Sequence, residues 1–448
     1  MKKIKFFIFI SLISIGFCVI NTYEDSYSIV NDLITEFESI SMPAIDIQAL
    51  LNEDEQNQGS GIPLRFGYAF DVNYGINNSG TWENFEDGSR LWKIGFKSEG
   101  AYGMKVLFDS YNLPQGALLY MYSSNFEMSR GPYTYEQNHE DGSFAIPLVK
   151  SDHIIIEYFQ PAYITETPEI NINKVIHAYR DIHNYYDQRD DRNCGDNVAC
   201  SNANDFEEQV NSVIYLEMYT SICSASLVNN TSEDLAPYVL TAWHCVEGDG
   251  SLGSHNNFTF YFNHQSSTCS GSNGNYSDDI TGSTILSWGS MNTSDFALLE
   301  MDNAPGWWWT PQPYYAGWSR YTSSPTISTG IHHPSGEPKK INFDNDQAYS
   351  CSWYSASTHW CLSWDDGGTA PGSSGSPIFD NNKRIVGQLT GGSGECGTGT
   401  DYYGKISRSW NNGSSASSRL KDWLDPLNTN QYTLDGTYDG LEVVEGCT

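Results

Sequence analysis

Pro371-Gly372-Ser373-Ser374-Gly375-Ser376-Pro377 is the stretch on which the reading of this chain turns. It is a tight, glycine-lined turn set just ahead of the apolar strand residues Ile378 and Phe379. Gly372 lets the backbone come close to another molecule, and the amides of Gly372 and Ser374 can then face a developing oxyanion. A serine hydroxyl is a poor nucleophile at neutral pH. It needs a base within hydrogen-bond reach, and the base needs a third group to orient it. On the turn alone Ser373, Ser374 and Ser376 compete for that role, and a plain loop is the bland alternative.

Upstream, the chain offers one candidate for each remaining part. His244 follows Leu240-Thr241-Ala242, the end of an apolar strand, and sits beside Cys245. A neutral imidazole there can take the serine proton and return it to a leaving amine. Asp295 heads Phe296-Ala297-Leu298-Leu299, an apolar run that reads as a buried strand. A carboxylate held at the mouth of such a strand can fix the imidazole tautomer. Asp278 and Asp279 compete with it, but their Asn/Gly/Ser surroundings read as solvated.

Thr241 to Cys245 (TAWHC), Thr293 to Met301 (TSDFALLEM) and Pro371 to Pro377, in that order, resemble the chymotrypsin-fold serine peptidases, most nearly the bacterial lysyl endopeptidases. The likeness extends through Cys223 to Leu235, Asn263 to Cys269, Tyr315 to Arg320, Ile331 to Ile341, Val386 to Gly392, Asp401 to Ile406 and Ser418 to Pro426. It spans roughly residues 193–430. The resemblance implies two packed antiparallel β-barrels with a His244, Asp295, Ser374 triad between them. It selects Ser374 among the three serines and an oxyanion hole at Gly372 and Ser374. It implies disulfides Cys194–Cys396, Cys200–Cys269 and Cys223–Cys245, leaving Cys351 and Cys361 to pair with each other and Cys447 over. It puts Asp401 at the floor of the specificity pocket, with Gly391 and Gly392 on its wall, and a buried carboxylate selects a cationic Lys or Arg side chain.

Two departures qualify the resemblance. The lysyl enzymes set a tryptophan and a histidine beside the pocket. Trp353 fits the first place, but the second holds Thr390, which puts strict preference for Lys over Arg in doubt. Many animal relatives carry aspartate just before the serine, to pair with a newly cut N-terminus. Here that position is Ser373. The resemblance instead implies a pro-region of about residues 21–192, with Arg189 and Arg192 as candidate cut sites. The reading is therefore a secreted, monomeric serine endopeptidase acting on protein or peptide substrates at Lys or Arg. A protease of other specificity, or a silent trypsin-like binding protein, are the alternatives.

The rest of the chain frames this. At 448 residues it exceeds one core, and a net charge of −32 argues against nucleic acid and anionic membranes. Lys2, Lys3 and Lys5 followed by the apolar Phe6 to Ile20 read as a signal peptide over residues 1–20, hence export, through the periplasm, to the outside. Beyond Cys18, every cysteine falls at or after Cys194, which reads as a disulfide framework in the C-terminal half. No Lys or Arg lies between Asn193 and Ser319, as suits a protease that spares itself, although general acidity explains the same fact. Residues 21–60 are acidic and weakly patterned, a flexible lead-in.

Short strand-like runs at Leu91 to Ser98, Met104 to Tyr111, Ala117 to Ser124 and His153 to Phe159 suggest a β-sandwich over about 62–160. Residues 165–191 read as its boundary. The expected fold class is all-β: a β-sandwich-like pro-domain, the two-barrel domain over 193–430, a helix over 415–426 and a tail over 431–448. His264, His332, His333 and His359 read as structural rather than as metal ligands, and no cofactor is expected. Trp307-Trp308-Trp309 reads equally as a contact patch or as packing.

Overall fold

A computed structural model describes residues 26–31, 36–57, 62–183, 194–248, 255–393, 395–397 and 399–438. Residues 1–20, read above as a signal peptide, and Arg189, Arg192 and Cys447 lie outside the described residues.

The periodic runs of the N-terminal half form strands Arg90–Lys97, Gly103–Asn112, Leu118–Ser123 and His153–Gln160. They belong to two sheets. One runs Glu38–Ser41, Arg90–Lys97, His153–Gln160, Leu118–Ser123, Ser129–Tyr133, and Thr81–Asn84 also pairs with Arg90–Lys97. The other runs Gly67–Gly75, Glu169–Ala178, Gly103–Asn112, Phe144–Val149. Trp92, Ile94, Phe96 and Ile156 from the first sheet and Val106, Phe108, Ile146 and Ile172 from the second fill one core. This is sheet-on-sheet packing, with alternate side chains of each sheet pointing inward.

Two expectations need correction here. The lead-in is patterned after all: Ile47–Asn57 is an α-helix, and Glu38–Ser41 pairs in parallel with Ile94 to Lys97. Four residues carry too little period to be read alone, so their register comes from the neighbouring strand. The segment read as a boundary holds Glu169–Ala178, an inner strand of the second sheet. A bulge between Ile172 and Lys174 breaks its alternation, so the core residues fall at Ile170, Ile172 and Val175 and the period of two is lost.

The C-terminal half forms two antiparallel sheets, the two barrels expected. The first runs Asp279–Thr281, Thr259–Tyr261, Val213–Glu217, Ser221–Leu227, Tyr238–Ala242, Phe296–Met301, Ser283–Gly289. The second centres on Ser328–His332, Pro377–Phe379, Ile385–Gly392, Asp401–Lys405 and His359–Leu362. All four disulfides form: Cys194–Cys396, Cys200–Cys269, Cys223–Cys245 and Cys351–Cys361. The helix expected over 415–426 is a 3-10 turn, Ala416–Ser418, then one α-turn, Lys421–Leu424, because Arg419 between them is extended. Leu420 and Leu424 are buried as its apolar face required.

The sandwich docks on the first barrel. Phe66, Ile176, Ala178 and Ile182 share an apolar cluster with Tyr215, Ile222 and Tyr261. Beside it, Lys105 Nζ lies 3.1 Å from Glu217 Oε1, both wholly buried, and donates to the carbonyls of Met218 and Asn257. His183 Nε2 is 3.2 Å from Glu217 Oε2, which also accepts from Tyr261 Oη. Asp279, read from sequence as solvated, is largely buried and paired with Arg130 at 2.8 Å, and Asp278 accepts from Asn263 and Asn275. Their partners lie far off in sequence, so the local composition could not reveal them.

Burial alone would raise Glu217, but Lys105, with His183, outweighs it and holds the carboxyl at about 2. A depressed folded-state value stabilises above the unfolded value of about 4.3 and is lost as pH falls through about 2. Lys105→Met leaves Glu217 buried without its ammonium partner. It is expected to destabilise the full chain by about 3–5 kcal/mol, measured by denaturant unfolding at neutral pH.

Candidate functional site: a His–Asp pair, a serine turn and an acidic recess

Strands Tyr238–Ala242 and Phe296–Met301 are antiparallel neighbours with Ala242 opposite Phe296. That register carries His244, just beyond one strand, and Asp295, just before the other, to the same end of the sheet. His244 is the second residue of the short helix Trp243–Gly248, and Cys245 is tied to Cys223 on the adjoining strand. Asp295 has φ +52, a left-handed conformation rare for a side-chain-bearing residue. The surroundings hold it there. Trp243 N–H and Gln388 Nε2 both donate to its carbonyl at 3.1 Å, and its own N–H donates to Ser290 O. Gln388 Nε2 also reaches Ser294 O at 2.6 Å.

The Asp295 carboxylate meets His244 twice. Oδ1 accepts the His244 backbone N–H at 3.0 Å, and Oδ2 lies 2.7 Å from Nδ1. A carboxylate only accepts, so Nδ1 carries the proton and Nε2 keeps a free lone pair. Both side chains are buried.

The serine turn is pressed against this first barrel. Ser224 N–H donates to Ser374 O at 2.8 Å, and Ser224 Oγ donates to Gly372 O at 3.0 Å. Gly375 has φ +81, and a Cβ there would stand 2.1 Å from Thr241 Oγ1 and 2.4 Å from Ser224 O, so only glycine permits the approach. Gly372 also has positive φ, at +98. Among the described residues, the amides of Gly372 and Ser374 donate no internal hydrogen bond. Ser374 is half-buried, and its Oγ is not closed onto His244 Nε2 at hydrogen-bond distance. Such bonds commonly tighten only when a substrate is bound.

Ser373 has a different anchor. His332 Nδ1 lies 2.7 Å from its Oγ, and Asn342 Nδ2 lies 2.9 Å from His332 Nε2. The amide NH₂ can only donate, so Nδ1 holds the His332 proton and donates to Ser373. Burial pushes His332 down to about 4, which keeps this chain neutral.

On the second barrel, Asp401 begins strand Asp401–Lys405, opposite Gly392. It is 4% exposed. Its Oδ2 accepts from Trp364 Nε1 at 2.6 Å and Thr369 Oγ1 at 2.8 Å. Burial pushes it up to about 6, although both donors oppose the shift. A Cβ on Gly392 would stand 2.1 Å from Asp401 Oδ1, and one on Gly391 would stand 3.2 Å from the Trp353 ring. Bare glycines thus keep the recess open toward the carboxylate.

Two family models match: "Lysyl endopeptidase N-terminal domain" over residues 41–179 and "Lysyl endopeptidase, C-terminal domain" over residues 189–404. Together they cover most of the chain. The chain belongs to the lysyl endopeptidase family. A curated lysyl endopeptidase of Pseudomonas aeruginosa is 26% identical over 199 residues, 42% of this chain and 41% of that protein. The match thus takes in well under half of that relative's length. Among solved structures, a Glu endopeptidase complex is 20% identical with a TM-score of 0.33, covering 48% of this chain and 91% of its own. The MamO protease domain of Magnetospirillum magneticum is 12% identical with a TM-score of 0.32, covering 47% and 100%.

In this family member the fold gathers His244, Asp295 and the Ser374 turn at one end of the first barrel, and Asp401, Gly391, Gly392 and Trp353 on the second. Thr390 is not alone in the histidine place. His359, from the strand on the far side of Asp401–Lys405, sets Nε2 3.0 Å from Thr390 Oγ1, with its ring 6.3 Å from Trp353. The sequence analysis weighed His359 only between a structural role and metal binding, and read it as structural, since no spacing rule joins residues 359 and 390. Gln388, Trp364 and Thr369 were also missed, because their roles rest on bonds to distant residues. His264 and His333 stack on one another, with centroids 5.3 Å apart, away from the recess. Trp309 packs on Phe262, whereas Trp307 and Trp308 are exposed.

Proposed function

We propose that this chain is a secreted serine endopeptidase that cuts peptide bonds after Lys, and also after Arg. Ser374 attacks the carbonyl. His244 takes its proton at Nε2 and passes it to the leaving amine, and Asp295 holds the imidazole and stabilises its charged form. The amides of Gly372 and Ser374 receive the oxyanion. The acyl-enzyme is then hydrolysed by water through the same groups.

The observation that carries the reading is the unspent chemistry of the site. His244 Nε2 is not engaged by Asp295, and among the described residues the amides of Gly372 and Ser374 donate no hydrogen bond and the buried Asp401 carboxylate has no cation partner. The Asp401 carboxylate is buried beside the bare Gly392, which suits an extended side chain ending in a positive charge. The Thr390–His359 pair in place of a lone histidine supports acceptance of Arg beside Lys.

Residues 1–20 are proposed to direct export, and the unit up to residue 192 to act as a pro-region removed before Cys194. Among the described residues, no helix is long and apolar enough to cross a membrane. Paired lysine and arginine esters, each with and without a serine-directed inhibitor, test the proposal. Hydrolysis of both, abolished by the inhibitor and absent with a norleucine ester, is the expected result. Equal cleavage of the norleucine ester would remove the cationic preference, and no cleavage of any ester would remove the enzyme.

A further inference from the structure

Strand Arg90–Lys97 of the N-terminal unit has two unlike faces. Trp92, Ile94 and Phe96 point into the core, so Leu91 and Lys93 point out from the opposite face. Pairing with Thr81–Asn84 sets Thr81 across from Lys93 and Glu83 across from Leu91. These four side chains share one patch of sheet, with Glu83 and Lys93 at diagonal corners. Phe37 lies against the bare Gly95 further along the same face, where a Cβ would stand 2.8 Å from its ring. With Glu36 it closes over the patch and leaves a cavity of about 260 Å³.

Lys93 is out of place in that cavity. It is 5% exposed, yet among the described residues no hydrogen bond and no ion pair within 4 Å reaches its Nζ. Glu157, across from it on the other neighbouring strand, is already engaged. Its Oε1 accepts from Ser28 N–H at 3.1 Å and its Oε2 from Tyr122 Oη at 2.8 Å. Glu83 does not close on Lys93 either, and its own Oε2 is buried without a hydrogen-bond partner. Burial pulls the ammonium below its usual value, although Glu157 and Glu83 oppose the shift. Three unused donors on a buried cation cost free energy until something accepts from them.

The surroundings narrow what that acceptor is. A simple anion would meet Lys93 but also face Glu36 and Glu83, and a simple cation would face Lys93. A molecule carrying both charges satisfies both corners. The space is below the roughly 300–1,000 Å³ of sites for drug-sized ligands, so the molecule is small. Leu91 and Phe37 supply an apolar wall beside the charges.

We propose that this cavity binds a free α-amino acid with an apolar side chain, its carboxylate on Lys93, its ammonium on Glu83 and its side chain against Leu91 and Phe37. The proposal does not rest on the endopeptidase reading. It gives the chain a second site, on the unit that lacks the serine turn.

The test is equilibrium dialysis of labelled leucine against the full chain carrying Ser374→Ala, checked as a single band, so that no hydrolysis intrudes. Saturable uptake with a Kd below about 1 mM is expected. N-acetylleucine and leucinamide, each short of one charge, should compete at least about tenfold more weakly than unlabelled leucine. Adding Lys93→Met should weaken leucine at least about tenfold. Adding Glu83→Gln instead should weaken leucine and narrow its margin over N-acetylleucine. Unfolding curves show which variants fold, and Glu83, half-buried on an outer strand, carries the test if Lys93→Met does not. No saturable uptake up to about 10 mM overturns the proposal. Uptake left unchanged by the folded variants places leucine elsewhere and overturns it as well. Competition by N-acetylleucine equal to that of leucine overturns the zwitterion and leaves a plain anion site.

Discussion

Ser374→Ala is expected to lower kcat on lysine esters and amides by about 10⁶-fold, the scale seen when a triad nucleophile is deleted. The residue rate would come from the oxyanion amides and from binding, which the substitution leaves in place. Stability should hardly move. Ser374 is half-buried and its Oγ makes no hydrogen bond among the described residues, so alanine strands no partner there. Thermal unfolding and steady-state kinetics on the same preparation check both halves. A variant that keeps wild-type activity would sink the triad. The same variant should accumulate uncut if maturation is autocatalytic, and normal trimming would point to a second protease.

Asp401→Asn has the next largest expected effect. The amide has the same shape and keeps an oxygen for Trp364 and Thr369, but a lysine ammonium then enters a buried site without its counter-charge. That mismatch costs about 3–5 kcal/mol, so kcat/KM for lysine esters should fall by about 10²–10⁴-fold. A norleucine ester should be spared. The pH behaviour supplies a second readout. With its folded value raised to about 6, the empty carboxyl binds more protons in the folded state than in the unfolded one. Its effect on stability therefore worsens as pH rises from about 3.9 to about 6, and is fully developed above that. Asp401→Asn should abolish that slope in unfolding experiments. Wild-type selectivity for lysine should likewise weaken as pH drops below about 6, where the empty carboxyl takes up a proton.

What was legible in the sequence was legible locally. TAWHC and PGSSGSP carry their own glycine, cysteine and strand context, and the β-branched and aromatic run in His153–Gln160 announces a strand without help. What was missed depended on long-range pairing. Asp279 looks solvated until Arg130 is laid against it, and Glu169–Ala178 loses its period to a bulge. The left-handed backbone of Asp295 is invisible in a string of letters. It becomes intelligible only when Gln388, 93 residues onward, is seen to hold its carbonyl. Likewise His359 acquires meaning beside Thr390 through sheet packing, not through spacing.

The bridge between Cys194 and Cys396 has a bearing on activation. It joins the first described residue of the C-terminal unit to the loop that leads into Asp401, and Cys396 N–H donates to the carbonyl of Thr369, whose hydroxyl in turn holds Asp401. A cut anywhere upstream of Cys194 would free an end that remains sewn to the rim of the recess. Severing the chain therefore need not build the binding cavity by inserting a new ammonium terminus.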